Sequence, residues 1–444
     1  MDVQELNSLL KVAGYSNPNM AKLISGELQP SWIRLPNNWY SGPWFAAKSA
    51  KFAFPAWVLF DGDSVTNGVN PANNGFLATG WPDQLRTLFL NSSGASVYGD
   101  FYSGWSYNSG AGATNPVAEG FPAFSGGSTT YEGGFGTVLA PSGGLVWIQT
   151  IDTSQIPGWT NGNCTGFDFL HYDWGACTWQ FLIDGGKGGS PTVTGATWNG
   201  SAWVVTNTGG GATTGNVKKV VVRGLSSGTH TIQWGQISSA GNMIPIGVSL
   251  FTGRSNGVGF VRSAYSGRRA VDAATPAGTN LGYAATVTSF PSDKASLWSG
   301  SGPANGTAQI TPTPFGFPTQ PSLAFLAYGI NDAANYISPE AYGDALERKI
   351  IAYRRGVSGC NVCLIAFSYP DPHNSDNNLS GNGNRYNRWK RVMAAVAESY
   401  NCAYVDIDAK WGGTPVAQGF QVSGNVHPTK AGSADIANTI ASII

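Results

Sequence analysis

Two apolar patterns divide the chain and limit the folds open to it. In the first, unbroken apolar strands such as AWVLF (56–60) are followed by segments of helical periodicity. In the second, between about 126 and 250, short alternating strands are separated by glycine-rich turns. Strands that alternate with helices predict a mostly parallel sheet with helices on both faces. Closely spaced short strands predict a sandwich or a jelly roll.

These patterns divide the 444 residues into four parts. We expect an N-terminal segment (1–50), the first part of an α/β domain (51–125), an inserted all-β module (126–250) and the second part of the α/β domain (251–444). Apolar residues with helical spacing between Val3 and Leu10 predict a short helix in the N-terminal segment. That helix packs on the body or mediates a homo-oligomer, and the sequence does not choose between the two.

The composition excludes some classes of function. Charged residues make up 11% of the chain, against roughly 25% in ordinary soluble domains. The 25 basic and 25 acidic residues balance, which argues against a nucleic-acid partner, because phosphate binding needs a basic surface. The sequence contains no run of about 18 apolar residues that would predict a membrane span.

The same composition favours a location outside the cell. Abundant glycine (60 residues) and 12% aromatic residues suit a loop-rich extracellular surface. The stretch MDVQELNSLLKVAG lacks the basic region and apolar core of a signal peptide. We therefore expect an extracellular or virion-associated protein that leaves the cell by lysis.

Metal ions and disulfides play no part in the expected function. The five cysteines have irregular spacing and indicate buried thiols. Asp168, Asp173 and Asp184 are candidate calcium ligands, but their spacing matches no calcium-binding loop. The tryptophans of 126–250 either pack in the core of the β module or form a platform for sugar rings.

Polar residues at the predicted strand ends supply the parts of an acyl-transfer site. Functional groups of open α/β sheets gather beyond the carboxyl ends of the strands. Ser64 follows the first strand and is the candidate nucleophile, and His427 precedes the last helix and is the candidate base. The backbone N–H groups of Ser64 and Gly267, with the Asn331 amide, are the candidate oxyanion hole.

These residues stand in three short blocks: Gly-Asp-Ser at 62–64, Gly-Ile-Asn-Asp at 329–332 and His-Pro at 427–428. In type and order the blocks resemble those of the SGNH (GDSL-type) hydrolase family, over about 55–125 and 255–444. The resemblance implies a flavodoxin-like three-layer α/β/α fold and hydrolysis of esters without a metal or other cofactor. Inserted β modules occur in some phage-tail and secreted members of that family.

Three further residues have supporting roles in this interpretation. Gly104 is the alternative oxyanion glycine, but Gly267 follows a clearer strand and is favoured. Asp63 is expected to hydrogen-bond the nucleophile loop rather than to act as an acid. Asp332 either supports the site or serves only the turn that contains it.

One position departs from the family pattern. The family places an aspartate three residues before the histidine, and this chain has Gly424 there, flanked by Ser423 and Asn425. A backbone carbonyl could hold His427 in a Ser–His dyad, or Asp406 or Asp408 could reach the ring. The dyad is the favoured interpretation, and poor activity is the remaining one.

The sequence thus predicts a serine esterase that removes O-acyl groups, most plausibly acetyl, from a polysaccharide or a small ester. A virion receptor-binding or structural protein with an inactive hydrolase domain is one alternative, and a lipase-type esterase is another. We expect the β module to be separable, so that deleting about 126–250 spares activity on small esters.

Overall fold

The computed structural model describes residues 30–68, 80–93, 95–103, 129–133, 136–139, 146–152, 164–172, 176–208, 217–236, 244–254, 256–264, 269–271, 321–354, 359–368 and 385–444. Several predictions fall outside these residues. They include the N-terminal helix, Gly104, Gly267 and Asp173.

Parallel strands form the centre of the main sheet. They are β2 (Pro55–Gly62), β3 (Val97–Ser103), β15 (Gly257–Ala264), β16 (Leu323–Ala327), β17 (Asn361–Ala366) and β18 (Ala403–Asp406). Their order across the sheet is β18-β17-β16-β2-β15-β3, and all neighbours are parallel. A short strand β1 (Ile33–Arg34) adds to β18 in the antiparallel sense. The predicted α/β class with a parallel sheet is confirmed.

Helices follow the parallel strands. They are α1 (Pro43–Ser49), α2 (Ser64–Asn67), α3 (Trp81–Ser93), α4 (Ile330–Ala334), α5 (Pro339–Arg354), α6 (Arg385–Ser399), α7 (Ile407–Trp411) and α8 (Lys430–Ala441). A 3-10 turn (Trp39–Ser41) precedes α1. In packing, α3 pairs with α8 and α5 with α6.

The two helix pairs cover opposite faces of the sheet. Phe60 on β2 packs edge-on against Trp81 of α3. The next residue, Asp61, bonds Lys349 of α5 at 2.5 Å. Because successive side chains of a strand point to opposite faces, α3 and α5 lie on opposite sides of the sheet. Strands covered on both faces explain the unbroken apolar runs in the sequence.

The residues expected to form a β module instead extend the main sheet. Beyond β3 the order continues through β14 (Ile244–Phe251), β7 (Cys164–Tyr172), β12 (Val217–Gly228) and β9 (Thr192–Thr194). These pairings are all antiparallel. The α/β region and this β region therefore share one sheet.

A second sheet packs against this extension. It contains β6 (Val146–Asp152), β8 (Ala176–Ile183), β10 (Thr197–Trp198), β11 (Trp203–Thr208) and β13 (Thr231–Gln236). A hairpin of β4 (Thr129–Gly133) and β5 (Gly136–Leu139) is separate. The core between the two sheets includes the aromatic side chains of Phe167, Phe169, Trp179 and Phe181.

This arrangement changes two expectations about the β region. Trp179 and Trp203 are buried in the core and Trp198 packs against it, so these tryptophans do not form an exposed sugar platform. The β14–β3 pairing, from Gly247–Ser103 to Phe251–Gly99, ties the region to the parallel sheet. The expectation that residues 126–250 form a separable module therefore conflicts with the structure, because their removal would leave β3 without its outer neighbour.

Candidate active site

The turn after β2 presents Ser64 as the first residue of α2. Gly62 ends the strand where space is short, since a Cβ there would lie 2.6 Å from the carbonyl oxygen of Ala327 on β16. Asp63 is the N-cap of α2, and its Oδ1 accepts a hydrogen bond from the backbone N–H of Val65 at 3.0 Å. This contact holds the turn that carries Ser64. Ser64 itself is 7% exposed.

Asp63 is a buried carboxyl group beside a second one. Its Oδ2 is buried and has no hydrogen-bond partner among the described residues. Burial, and to a smaller extent the negative charge of Asp332, raise the pKa of Asp63 to about 7. Both oxygens of Asp332 accept from the backbone N–H of Ala270 at 2.9 Å. Asp332 thus links α4 to the segment that follows position 267.

The loop before α8 brings His427 to the nucleophile. The Nε2 atom of His427 lies 2.8 Å from Oγ of Ser64, although the residues are 363 positions apart in the chain. This is the separation expected of a hydrogen bond between a nucleophile and its base. The structure therefore brings together the two side chains that the sequence proposed as the catalytic pair.

Asn425 fixes the tautomer of His427. Its Oδ1 atom lies 2.9 Å from the backbone nitrogen of His427 and 2.9 Å from the ring Nδ1. A backbone N–H can only donate, so the side-chain atom that faces it is the amide oxygen, which can only accept. Nδ1 must then carry the ring proton. This leaves the lone pair of Nε2 free to accept the Ser64 hydroxyl proton.

The predicted partners of the histidine ring are therefore replaced by one that the sequence reasoning did not choose. Asp406 caps α7 through the backbone N–H of Ala409. Asp408 accepts hydrogen bonds from Ser368 and Lys390. Nδ1 faces neither carboxylate nor a backbone carbonyl, but a side-chain amide oxygen. The favoured dyad interpretation gives way to a Ser–His–Asn arrangement.

Burial keeps the His427 ring neutral. Desolvation of the partly buried ring lowers its pKa from 6.5 to about 4. At neutral pH the ring is an unprotonated base and can accept a proton. The imidazolium form that accepts it is disfavoured by about 3 kcal/mol relative to a solvated histidine. No carboxylate among the described residues accepts from Nδ1 to offset this penalty.

The other oxyanion candidates lie around the ends of neighbouring strands. Ala327 at the end of β16 pairs with Gly62, so the turn that bears Asn331 begins beside the turn that bears Ser64. Gly267 and Gly104 lie outside the described residues. Their strands differ, because β15 pairs with β2 directly and ends with Ala264 opposite Gly62, whereas β3 is one strand further away. The topology thus favours Gly267 over Gly104.

The candidate calcium ligands serve other contacts. Asp168 is fully buried and pairs with Arg223 at 2.6 Å and Lys219 at 3.4 Å. Asp184 bonds the ring of His230 at 2.7 Å. Within the described part of the chain, no three His, Cys, Asp or Glu side chains cluster as a metal site. The described thiols, Cys164, Cys360, Cys363 and Cys402, are free and buried.

Sequence reasoning missed two polar residues of the histidine loop, Asn425 and Gln421. A signal for Asn425 was present, because an asparagine side chain commonly accepts from the backbone N–H two residues later. Gln421 gives no local signal. Its amide donates to the carbonyl oxygens of Ser368 and Val426, both at 3.0 Å. Its value for the site is visible only in three dimensions.

Comparison with known families supports the class of reaction. Residues 262–434 match the model of the GDSL-like Lipase/Acylhydrolase family. That range contains Asn331 and His427, whereas Ser64 lies before it. The match supports a carboxylic ester hydrolase. No curated protein matches the sequence.

Solved structures with a similar arrangement include several ester hydrolases. A peptidoglycan O-acetylesterase is 14% identical, over 93% of this chain and 97% of its own, with a TM-score of 0.48. A Corynascus thermopiles (Myceliophthora fergusii) carbohydrate esterase of family 2, with a carbohydrate-binding domain, is 15% identical over 74% and 96%, with a TM-score of 0.29. A lipase/acylhydrolase from Enterococcus faecalis is 16% identical over 42% and 74%, with a TM-score of 0.28.

No helix within the described ranges combines the length and apolar character needed to cross a membrane.

Proposed function

We propose that this protein is a serine esterase in which Ser64 is the nucleophile, His427 the base and Asn425 the group that orients the base. The observation that carries the proposal is the linear arrangement Ser64 Oγ–His427 Nε2 at 2.8 Å and His427 Nδ1–Asn425 Oδ1 at 2.9 Å. The tautomer that Asn425 imposes is the one that general-base catalysis needs.

In the first half of the reaction, Ser64 Oγ attacks the ester carbonyl while its proton moves to Nε2 of His427. The ring is then an imidazolium whose Nδ1–H still donates to Asn425. Collapse of the tetrahedral intermediate breaks the bond to the alcohol oxygen. Nε2–H protonates this leaving group, and an acyl-Ser64 ester remains.

In the second half, neutral His427 takes a proton from water, and the resulting hydroxide attacks the acyl-enzyme. The proton returns from Nε2 to Ser64 Oγ as the carboxylic acid leaves. We assign the backbone N–H groups of Ser64 and Gly267 and the Asn331 side-chain amide to the oxyanion in both halves. One such donor typically lowers the barrier by about 3–4 kcal/mol.

The proposed substrate is a short acyl group, acetyl above all, on a polysaccharide. Ser64 is only 7% exposed, which leaves little space beside the nucleophile for a long acyl chain. The sheet continues from β2 through β15, β3, β14 and β7 to β12. At a strand spacing of about 4.8 Å, this edge extends roughly 24 Å from the nucleophile. A surface of that length suits a polymer better than a small ester.

The test compares p-nitrophenyl acetate turnover by the wild type and by Ser64→Ala. Loss of the enzymatic rate in the variant supports the esterase, and equal background rates in both proteins contradict it. A series of nitrophenyl esters then tests acyl length, and preference for long chains would favour a lipase. Acetate release from a panel of acetylated polysaccharides identifies the polymer.

One alternative has an observation in its favour. His427 has an amide rather than a carboxylate beside Nδ1, as an inactive hydrolase domain in a virion receptor-binding or structural protein could have. Equal background rates in the Ser64→Ala comparison would support this alternative. Action on an acetylated surface polysaccharide fits a place outside the cell or on a virion, which is part of the proposal.

A further inference from the structure

The peptide unit between Val426 and His427 is held at both of its polar ends. Its N–H donates to Oδ1 of Asn425 at 2.9 Å, as described above. Its carbonyl oxygen, on Val426, accepts from Nε2 of Gln421 at 3.0 Å. A peptide plane fixed at both ends cannot rotate freely, so the direction in which the chain presents the His427 side chain is also fixed.

Gln421 ties this peptide unit to the central sheet. The second N–H of its amide donates to the carbonyl oxygen of Ser368, which follows β17, at 3.0 Å. Both partners are carbonyl oxygens, so only the NH₂ end of the amide can face them. The hydroxyl of Ser368 in turn donates to Asp408 at 3.1 Å. The histidine loop is thus anchored to the strand end that lies two places from β2.

The burial of Gln421 shows that this contact is not required simply to fill space. The side chain is 3% exposed, and its Oε1 is buried without a hydrogen-bond partner among the described residues. A buried acceptor without a partner is destabilising. An apolar side chain of the same length, such as methionine, would avoid this penalty but would lack both donors.

We infer that Gln421 is a positioning residue for the reaction: it holds the 426–427 peptide so that Nε2 of His427 faces Ser64. The inference rests on the proposed function, since it concerns the same base. Gln421 acts through His427 and makes no contact with substrate in this account. It partly takes the place of the carboxylate that position 424 lacks.

The chain offers a matched control in Gln418. Its Nε2 also donates twice within this loop, to the Trp411 carbonyl oxygen at 2.8 Å and to Thr414 Oγ1 at 2.9 Å. Neither partner belongs to the His427 peptide. Gln421→Met and Gln418→Met each remove two hydrogen bonds, so a difference between them isolates the effect on the base.

For Gln421→Met we expect kcat on p-nitrophenyl acetate to fall by about 10²-fold, the scale of a misplacement of about 1 Å. KM should change little, and kcat of Gln418→Met should stay within about twofold of the wild type. Equal kcat values for the two variants would overturn the inference. Gln421→Asn, which keeps a buried amide too short to span both carbonyls, should fall in kcat as well and serves if the methionine variant does not fold.

A spectroscopic readout separates this inference from the proposed function. The chain has only 4 histidines, so ¹⁵N labelling of histidine gives few ring signals, and His427→Ala identifies the relevant one. We expect Nδ1 of His427 to be protonated in the wild type and in Gln418→Met, and a mixture of tautomers in Gln421→Met. An unchanged tautomer in Gln421→Met overturns the positioning role. Absence of Ser64-dependent turnover in the wild type contradicts the esterase instead.

Discussion

Replacing Asn425 by aspartate tests the electrostatic description of the base. The substitution is nearly isosteric, and both of its hydrogen-bond partners, the backbone N–H and Nδ1–H of His427, are donors that a carboxylate can accept equally well. The variant therefore keeps the geometry and the tautomer. It adds one negative charge next to the ring that becomes positive during the reaction.

The size of the effect follows from the separation. Unit charges about 4 Å apart attract by about 4 kcal/mol at an effective dielectric constant of about 20, equivalent to about three pH units. Burial of the new carboxylate offsets part of this gain. We expect the pKa of His427, lowered to about 4 by burial in the wild type, to rise by about one to two units. The same charge should raise kcat/KM at neutral pH by about 10- to 100-fold.

The assay is the pH dependence of kcat/KM on p-nitrophenyl acetate for the wild type, Asn425→Asp and Asn425→Ala. The acid limb reports the free base. It should lie near pH 4 in the wild type and at higher pH in the aspartate variant, with a higher plateau. The alanine variant should lose rate, because nothing then selects the Nδ1–H tautomer. An unmoved acid limb in Asn425→Asp, or wild-type rates in Asn425→Ala, would refute the reasoning.

Three further predictions concern neighbouring parts of the molecule. Folded Asp63 keeps its proton up to about pH 7 and an unfolded Asp only up to about pH 4, so stability declines between these values. Asp63→Asn, which keeps the cap, should remove this decline and gain up to about 4 kcal/mol at pH 8 in urea melts; parallel pH profiles would contradict this. Asn331→Ala should lower kcat by roughly 10²–10³-fold with an unchanged melting temperature; a large loss of melting temperature would mark a structural role. Deleting residues 126–250 should unfold the protein by circular dichroism, because β14 is lost from β3; a folded, active truncation would show that the region is separable.

The α/β class was predictable from sequence because its physical cause is local. Strands buried on both faces must be continuously apolar, as β2 is from Ala56 to Phe60, and this pattern is visible without knowledge of their partners. The pairing of β3 with β14 was not predictable in the same way. Alternation identifies each strand, but Gly99 and Phe251, which pair, are distant in the chain and carry no mark of each other.

The site shows the same division. Ser64 and His427 were selected through the order of three short blocks, and the structure places them in contact. The resemblance gave no guidance on the His427 ring partner, because the chain departs from the family pattern at Gly424. Asn425 required a local turn argument, and Gln421 required the carbonyl of Ser368 to be known as its neighbour.

Covalent labelling tests the central claim most directly. A fluorophosphonate probe reacts with a serine only when a neighbouring base activates its hydroxyl. Mass spectrometry of the digested protein should locate the adduct on Ser64 of the wild type, find none on Ser64→Ala, and show much slower labelling of His427→Ala. No adduct on the wild type, or an adduct that persists in Ser64→Ala, would contradict the assignment of Ser64 and His427 as a nucleophile and its base.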